Sequence, residues 1–135
     1  MAHVIFYEKP GCVGNARQKK MLAASGHSVE VRDLLREVWS AAALRVYFGI
    51  RPVAEWFNRS SPKVKSGEVV PEALDAASAL ALMLADPLLI RRPLLQVGER
   101  REAGWDAALV DAWIGLQGDG VGEGCPKGEA APPCP

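Results

Sequence analysis

A short apolar run that ends at a Pro-Gly pair, directly before a helical pattern, constrains this chain more than any other feature. Residues 3–7, HVIFY, are mostly β-branched or aromatic and predict a buried strand, and the Pro-Gly pair predicts a turn after it. Residues 12–25 favour a helix that Gly26 can terminate, and 28–33, SVEVRD, alternate like a strand with one covered face. The order strand, helix, strand predicts a right-handed βαβ unit.

The rest of the chain continues this unit with a helical middle and a return to strands. The predicted elements are helices at 41–49, 52–58 and 71–85, a polar loop at 59–69, a hairpin at 93–105 and a last helix at 106–116. The order βαβ, helical insert, ββα is typical of an α/β thioredoxin-like fold. We therefore expect one domain over 1–116 with an insert over about 38–86, and a disordered tail over 117–135, where glycine and proline dominate.

Charge and composition exclude several classes of function. The chain has 135 residues, with 16 basic and 16 acidic side chains and a formal net charge of zero. A basic surface for nucleic acid is therefore not expected. No signal peptide is recognised, and Asp75, Asp86 and Pro87 interrupt the longest apolar segment, so that no membrane span is expected. We expect a cytoplasmic protein whose 3 cysteines stay reduced.

Cys12 is the candidate nucleophile because it stands where the first strand passes into the first helix. The positive end of a helix favours the thiolate form of cysteine, which is the reactive form. Asn15 returns to the same helix face and could donate a hydrogen bond to the sulfur or to a bound anion. Arg17 lies about 140° further round the helix and reaches this position less directly. The alternative is that Cys12 is a small buried apolar side chain, as cysteine often is.

Arg92 and Pro93 form a second candidate group, where the third strand is predicted to begin. In thioredoxin-like folds the proline at this position is commonly cis and faces the active-site cysteine. Arg92 would then lie near Cys12, where a guanidinium can bind an oxyanion or stabilise a thiolate. The alternative is a surface arginine beside an edge strand.

Over about residues 3–116 these segments resemble the ArsC/Spx family of arsenate-reductase-like proteins. The resemblance is carried by VIFYEKPGCVGNARQKK and by ADPLLIRRPLLQVGERREAGWD. PVAEWFNRSSPKVKSGE is most similar to the nitrogenase-associated (NifO-type) branch of that family. The resemblance implies that Cys12 matches the cysteine that attacks arsenate in the reductases. It also implies that Arg92 matches a substrate-binding arginine.

The chain departs from the family pattern around the implied anion site. Asn15 stands where Spx-type members have the second cysteine of a redox pair, so a local CxxC disulfide cannot form. The resemblance places Asn58, with Arg59 beside it, at the position of one anion-binding arginine, and Trp105 at the position of another. At least one of the expected arginines is therefore lost or moved.

The expected function is that of a thiol redox protein of the arsenate reductase type, with a setting in nitrogen fixation that the resemblance implies. Because no resolving cysteine is near Cys12 in sequence, an external thiol such as glutathione or glutaredoxin would complete the cycle. No metal and no other cofactor are expected. Cys125 or Cys134 in the tail is an alternative resolving thiol, since a tethered thiol has a high effective concentration.

Two other functions stay open. The protein could keep the fold without the chemistry and bind a nitrogenase component or a maturation factor through the insert, as Spx-type members act by binding a partner. It could also be an oxyanion-binding module that uses Cys12 and Arg92 without turnover. Neither a nucleic acid nor a membrane is an expected partner.

Overall fold

A four-stranded mixed sheet forms the centre of the computed structural model, which describes residues 1–116. The strands are β1 (His3–Glu8), β2 (Ser28–Asp33), β3 (Leu94–Val97) and β4 (Arg100–Ala103). Their order is β2-β1-β3-β4, in which β1 runs parallel to β2 and antiparallel to β3, and β3 runs antiparallel to β4. The predicted thioredoxin-like α/β arrangement is confirmed.

Helices cover both faces of this sheet. They are α1 (Val13–Ala24), α2 (Ala41–Arg45), α3 (Pro62–Lys65), α4 (Ala76–Ala85) and α5 (Ala107–Ile114), with 3₁₀ turns at Val53–Trp56, Pro71–Ala73 and Pro87–Leu89. Within residues 1–116, none of them is long and apolar enough to cross a membrane.

Successive side chains of a strand point to opposite faces, and this alternation divides the core into two clusters. On one face, Val4 and Phe6 pack with Leu22 of α1 and Val110 of α5. On the other face, Tyr7 and other side chains of the sheet pack against the insert; the buried insert residues there include Leu44, Phe48, Trp56, Leu80, Met83 and Leu89. The α1 helix, which carries the candidate nucleophile at its start, therefore lies on the face opposite the insert.

The first two helices predicted in the insert are longer than the elements in the structure. The helix predicted over 41–49 ends at Arg45 and passes into turns, because Gly49 adopts a positive φ of 54° that interrupts helical geometry. The segment predicted as a helix over 52–58 forms only the 3₁₀ turn Val53–Trp56. The loop predicted over 59–69 contains the short α3, which begins at Pro62, a residue suited to the first helical position.

The helix predicted over 71–85 is also shorter than expected. Leu74 has extended φ and ψ angles of −104° and 145°, and Asp75 caps α4 by accepting a 2.8 Å hydrogen bond from the Ser78 N–H. The helix that begins there buries Met83, whereas Leu84 is 39% exposed. The predictions for the tail, including Cys125 and Cys134, lie outside the described residues.

Candidate active site around Cys12

A tight turn carries the chain from β1 into α1. The Cys12 N–H donates a 3.1 Å hydrogen bond to the Lys9 carbonyl, which closes a four-residue turn. Pro10 and Gly11 occupy its two central positions, and Gly11 has a φ of 84°. Proline followed by glycine with positive φ is typical of a type II turn. The glycine is needed here because other residues rarely adopt this φ.

The turn leaves Cys12 at the N-cap of α1. Its carbonyl accepts a 3.0 Å hydrogen bond from the Ala16 N–H, which is the first bond of the helix. No side chain caps this end, and the first turn holds no acidic residue. The first backbone N–H groups of a helix have no partner within the helix, and together they favour a negative charge at this end. The Cys12 side chain therefore lies at the end of α1 that favours a negatively charged group.

A cleft of about 340 Å³ opens beside this thiol. It is lined by Glu8, Gly11, Cys12, Val13, Ala16, Arg17, Lys19 and Lys20, and we call it the Cys12 cleft. Cys12 is only 4% exposed, so its thiol lies at the bottom of the cleft while Arg17 and Lys20 are exposed at its wall. Lys19 forms an ion pair with Glu8. The cleft therefore combines a nucleophile with cationic side chains.

Asn15 lies beneath the turn and is completely buried. Its Oδ1 accepts a 3.1 Å hydrogen bond from the Lys9 N–H, and its Nδ2 donates a 3.0 Å bond to Oε1 of Gln18. The predicted bond to the sulfur or to an anion stays a prediction. In the structure this amide holds the turn against the helix, and it does not line the Cys12 cleft.

Arg92 and Pro93 lie at the same edge of the sheet as Cys12. Tyr7 pairs with Leu94 in the β1–β3 register, so the residues just before Leu94 lie beside the end of β1. The Arg92–Pro93 peptide bond is cis, as the position of this proline suggested. Arg92 is 5% exposed, which excludes the surface alternative considered for it. Neither residue is among those that line the Cys12 cleft.

The position of Trp105 is fixed by the same register. Ala103 pairs with Leu94, and the Gly104 N–H donates a 2.8 Å hydrogen bond to the Pro93 carbonyl, so Trp105 also lies at this edge. The indole is 4% exposed and packs on the α1 face of the sheet. Its Nε1 is buried without a hydrogen-bond partner among the residues that the structure describes.

Arg59 lies on the insert and is engaged there. Its guanidinium donates to the Ala54 carbonyl at 3.0 Å and to a carboxylate oxygen of Glu72 at 2.7 Å. This pairing lowers the pKa of Glu72. Arg59 does not line the Cys12 cleft, and its assignment to the anion site stays a prediction.

The structure also adds residues that the sequence analysis did not identify. Ala16 and Lys20 line the Cys12 cleft four and eight residues after the cysteine, a spacing that keeps them on the same side of a helix. That spacing was visible once the helix was predicted to begin near Cys12. No group of His, Cys, Asp and Glu side chains suited to a metal ion occurs in residues 1–116.

Comparisons with known proteins agree with the fold described above. The chain is 57% identical over 129 residues to an uncharacterized 15.7 kDa protein in the draG 3' region of Rhodospirillum rubrum, covering 94% of this chain and 90% of that protein. Among solved structures it is similar to an arsenate reductase from Vibrio cholerae (TM-score 0.64, 20% identity, 76% of this chain and 89% of that chain). It is also similar to a protein from Bacteroides fragilis described as related to the ArsC family (TM-score 0.71, 18% identity, 82% of this chain and 97% of that chain). The ArsC family model matches residues 7–113, and the chain therefore belongs to the ArsC family.

Proposed function

We propose that the protein is a thiol-dependent oxidoreductase of the arsenate reductase type, with Cys12 as its only nucleophile. The observation that carries the proposal is the placement of Cys12 at the uncapped N-terminus of α1 and at the bottom of an open cleft. A purely structural role for Cys12 in core packing does not account for an open cleft lined by cationic side chains. Here the thiolate would be both stabilised and accessible to a small molecule.

Arg92 is the proposed anion-binding partner of Cys12. It is buried at the edge of the sheet where β1 ends, next to the cis Pro93. A buried guanidinium can form paired hydrogen bonds with an oxyanion and can stabilise the negative charge of a leaving group. The anion would thus be held between the start of α1 and the start of β3.

The proposed cycle uses an external thiol. The Cys12 thiolate attacks the electrophilic centre of an oxyanion substrate, and one oxygen leaves as water as the covalent adduct forms. Glutathione or a glutaredoxin then attacks the Cys12 sulfur of the adduct, so that a mixed disulfide forms on Cys12 and the electron pair of the broken bond leaves with the reduced product. A second thiol equivalent regenerates Cys12. Cys12 is the only cysteine within residues 1–116, which supports an external source of reducing thiol. The setting in nitrogen fixation is proposed from the resemblance to the nitrogenase-associated branch.

The reactivity of Cys12 tests this proposal directly. The full chain carrying Cys125→Ser and Cys134→Ser leaves Cys12 as the only thiol. We expect iodoacetamide to alkylate the folded protein at pH 7 about tenfold faster than the same protein unfolded in urea, because the helix N-terminus and the open cleft favour attack by the Cys12 sulfur. The unfolded protein is the matched control, since it has the same thiol without the helix.

The formation of a mixed disulfide with glutathione provides a second test in the same variant. Incubation with oxidised glutathione should add one glutathione to Cys12, and glutaredoxin should remove it, as seen by intact-protein mass spectrometry. Cys12→Ser in the same background should form no adduct. Slower alkylation in the folded state than in urea, together with no adduct, would show that Cys12 is a structural thiol and would overturn the proposal.

A partner-binding role through the insert is the second candidate function. A cleft of about 620 Å³ between the insert and the β4–α5 region is lined in part by Tyr47, Phe48, Ile50, Arg51, Arg101 and Leu109. Ile50 is fully exposed in this lining, and an exposed apolar side chain within a polar-rimmed cleft can contact a protein partner. Purified nitrogenase components can test this role: binding that Ile50→Asp abolishes and Cys12→Ser preserves would favour it over the redox function.

A further inference from the structure

One stripe of α1 carries two cations that have no acidic partner within the described residues 1–116. Val13, Arg17 and Lys20 follow each other at helical spacings of four and three residues and line the Cys12 cleft. Arg17 and Lys20 are exposed, and neither has a carboxylate within ion-pair distance among residues 1–116. The neighbouring Lys19 differs, since it is paired with Glu8. The uncompensated charge of the cleft therefore comes from Arg17 and Lys20.

This pair contrasts with many of the cations elsewhere in the described part of the chain. Ion pairs join Arg32 with Glu30, Arg51 with Glu55, Arg59 with Glu72, Lys63 with Asp86 and Arg100 with Glu102. Next to the nucleophile, by contrast, the one carboxylate that lines the cleft, Glu8, is paired with Lys19, and Arg17 and Lys20 have no ion pair among residues 1–116. Such a concave surface raises the local concentration of anions and their rate of association.

The shape of the Cys12 cleft fits a small ligand. Its volume of about 340 Å³ lies at the lower end of the range for small-molecule sites. Ala16, one helical turn after Cys12, is exposed and lines the same cleft as the thiol and the two cations, and its side chain is only a methyl group. A ligand sulfur could reach Cys12 while its acidic groups lie against Arg17 and Lys20.

We propose that the Cys12 cleft selects low-molecular-weight disulfides and thiols that carry carboxylates, and that Arg17 and Lys20 bind those carboxylates. This inference rests on the proposed function, because it assigns the class of sulfur compound with which Cys12 exchanges. In the exchange, the Cys12 thiolate forms a new S–S bond with one sulfur of the disulfide. The original S–S bond breaks, and the second sulfur leaves as a thiolate that takes a proton from water.

Two disulfides of similar size but different charge provide the test. Dithiodiglycolate carries two carboxylates, and 2-hydroxyethyl disulfide carries none. The rate of adduct formation on Cys12 is measured for each, in full-length protein with Cys125→Ser and Cys134→Ser. In the Arg17→Gln/Lys20→Gln variant we expect the reaction with dithiodiglycolate to slow about tenfold, and the reaction with 2-hydroxyethyl disulfide to slow by at most about twofold.

A matched control removes the same charge elsewhere. Lys65→Gln with Arg36→Gln changes two exposed cations that do not line the Cys12 cleft and should alter neither rate by more than about twofold. Raising the salt concentration should reduce the preference of the unaltered site for dithiodiglycolate, because salt screens exposed charges. Equal slowing of both disulfides by the Arg17 and Lys20 changes would overturn the inference and leave the redox function standing.

Binding can be measured without the chemistry, which separates the inference from the proposed function. Titration of Cys12→Ser protein with dithiodiglycolate should shift the NMR signals of backbone amides in 13–20. The same titration of a variant that also carries Arg17→Gln and Lys20→Gln should not. Shifts that survive the loss of both cations would show that they do not bind the carboxylates, whether or not Cys12 is reactive.

Discussion

Asn15 shows how one buried amide positions the candidate nucleophile. It accepts from the Lys9 N–H at 3.1 Å and donates to Gln18 at 3.0 Å, and so ties the turn before Cys12 to the second turn of α1. Asn15→Ala removes both bonds, and the Lys9 N–H loses its side-chain acceptor. We expect the free energy of unfolding to fall by about 2–3 kcal/mol, measured by urea denaturation.

The same variant has a consequence at the active site. With the turn released, Cys12 should lose its fixed position at the helix end, and the advantage of folded over unfolded protein in alkylation should shrink. Ser66→Ala, at an exposed side chain, is the control and should change stability by less than about 0.5 kcal/mol. An Asn15→Ala protein of unchanged stability would contradict the role assigned to this amide.

At the scale of elements, aromatic side chains attach the insert to the sheet. Tyr7 of β1 contacts Trp39 and Tyr47 with ring centroids 4.9 Å and 6.0 Å away, and Trp39 and Tyr47 are 5.6 Å apart. Within the insert, Phe48 and Trp56 stack at 4.7 Å. Aromatic pairs of this kind add stability beyond the area they bury. The insert is therefore fixed to the sheet by side-chain packing, although its helices are short.

Tyr47 makes this attachment sensitive to alkaline pH. Burial, together with the neighbouring Tyr7, raises the pKa of Tyr47 to about 12 from its ordinary value of 10.0. Because the folded protein favours the neutral phenol, Tyr47 contributes its full stabilisation of the fold below pH 10.0. This contribution is lost as the pH rises towards 12. Tyr47→Phe has no proton to lose, although it gives up the 3.3 Å hydrogen bond to Gln96.

The expected result is a stability difference that changes with pH. At pH 8, Tyr47→Phe should be less stable than the unaltered protein by about 1 kcal/mol or less. Between pH 10 and pH 12 this difference should close by about 1–2 kcal/mol, less than the full pKa difference because water screens part of the effect. Urea denaturation, followed by tryptophan fluorescence, measures the free energy of unfolding of the two proteins at each pH. A difference that stays constant up to pH 12 would refute the burial of the neutral phenol.

Strands and turns that are determined by local sequence patterns were predictable from the sequence. The ends of helices, which depend on caps and packing, were less predictable. The alternating and apolar runs predicted β1 and β2, and the Pro-Gly pair predicted the turn that carries Cys12. The extents of α2 and α4 were missed, because Gly49 and Asp75 interrupt helical patterns through a positive φ and a side-chain cap. At the site, Asn15 was recognised from spacing alone, but its partner Lys9 depends on how tightly the turn folds.

At the scale of the whole molecule, His27 joins the two ends of the described chain. Its Nδ1 accepts a 3.0 Å hydrogen bond from the Ala2 N–H, and its Nε2 lies 2.7 Å from the carbonyl oxygen of Gly115. Because an N–H group must donate and a carbonyl must accept, the ring is the neutral tautomer with its proton on Nε2. His27 is 7% exposed, so both bonds are largely shielded from water. One side chain thus connects the start of β1 to the end of α5.

Replacing this residue should loosen α5 without altering the Cys12 cleft, which lies at the other end of α1. We expect His27→Ala to lower the free energy of unfolding by about 2–3 kcal/mol, since two buried hydrogen bonds are lost. The N–H groups of Gly115 and Leu116, which donate to Asp111, should exchange with solvent faster than in the unaltered protein, as measured by hydrogen–deuterium exchange. His3→Ala is the control, because the His3 side chain is 58% exposed and its pair with Glu30 contributes little. If Gly115 and Leu116 exchanged at the same rate in both variants, the end of α5 would be held by its apolar packing on the sheet, and the link through His27 would be dispensable.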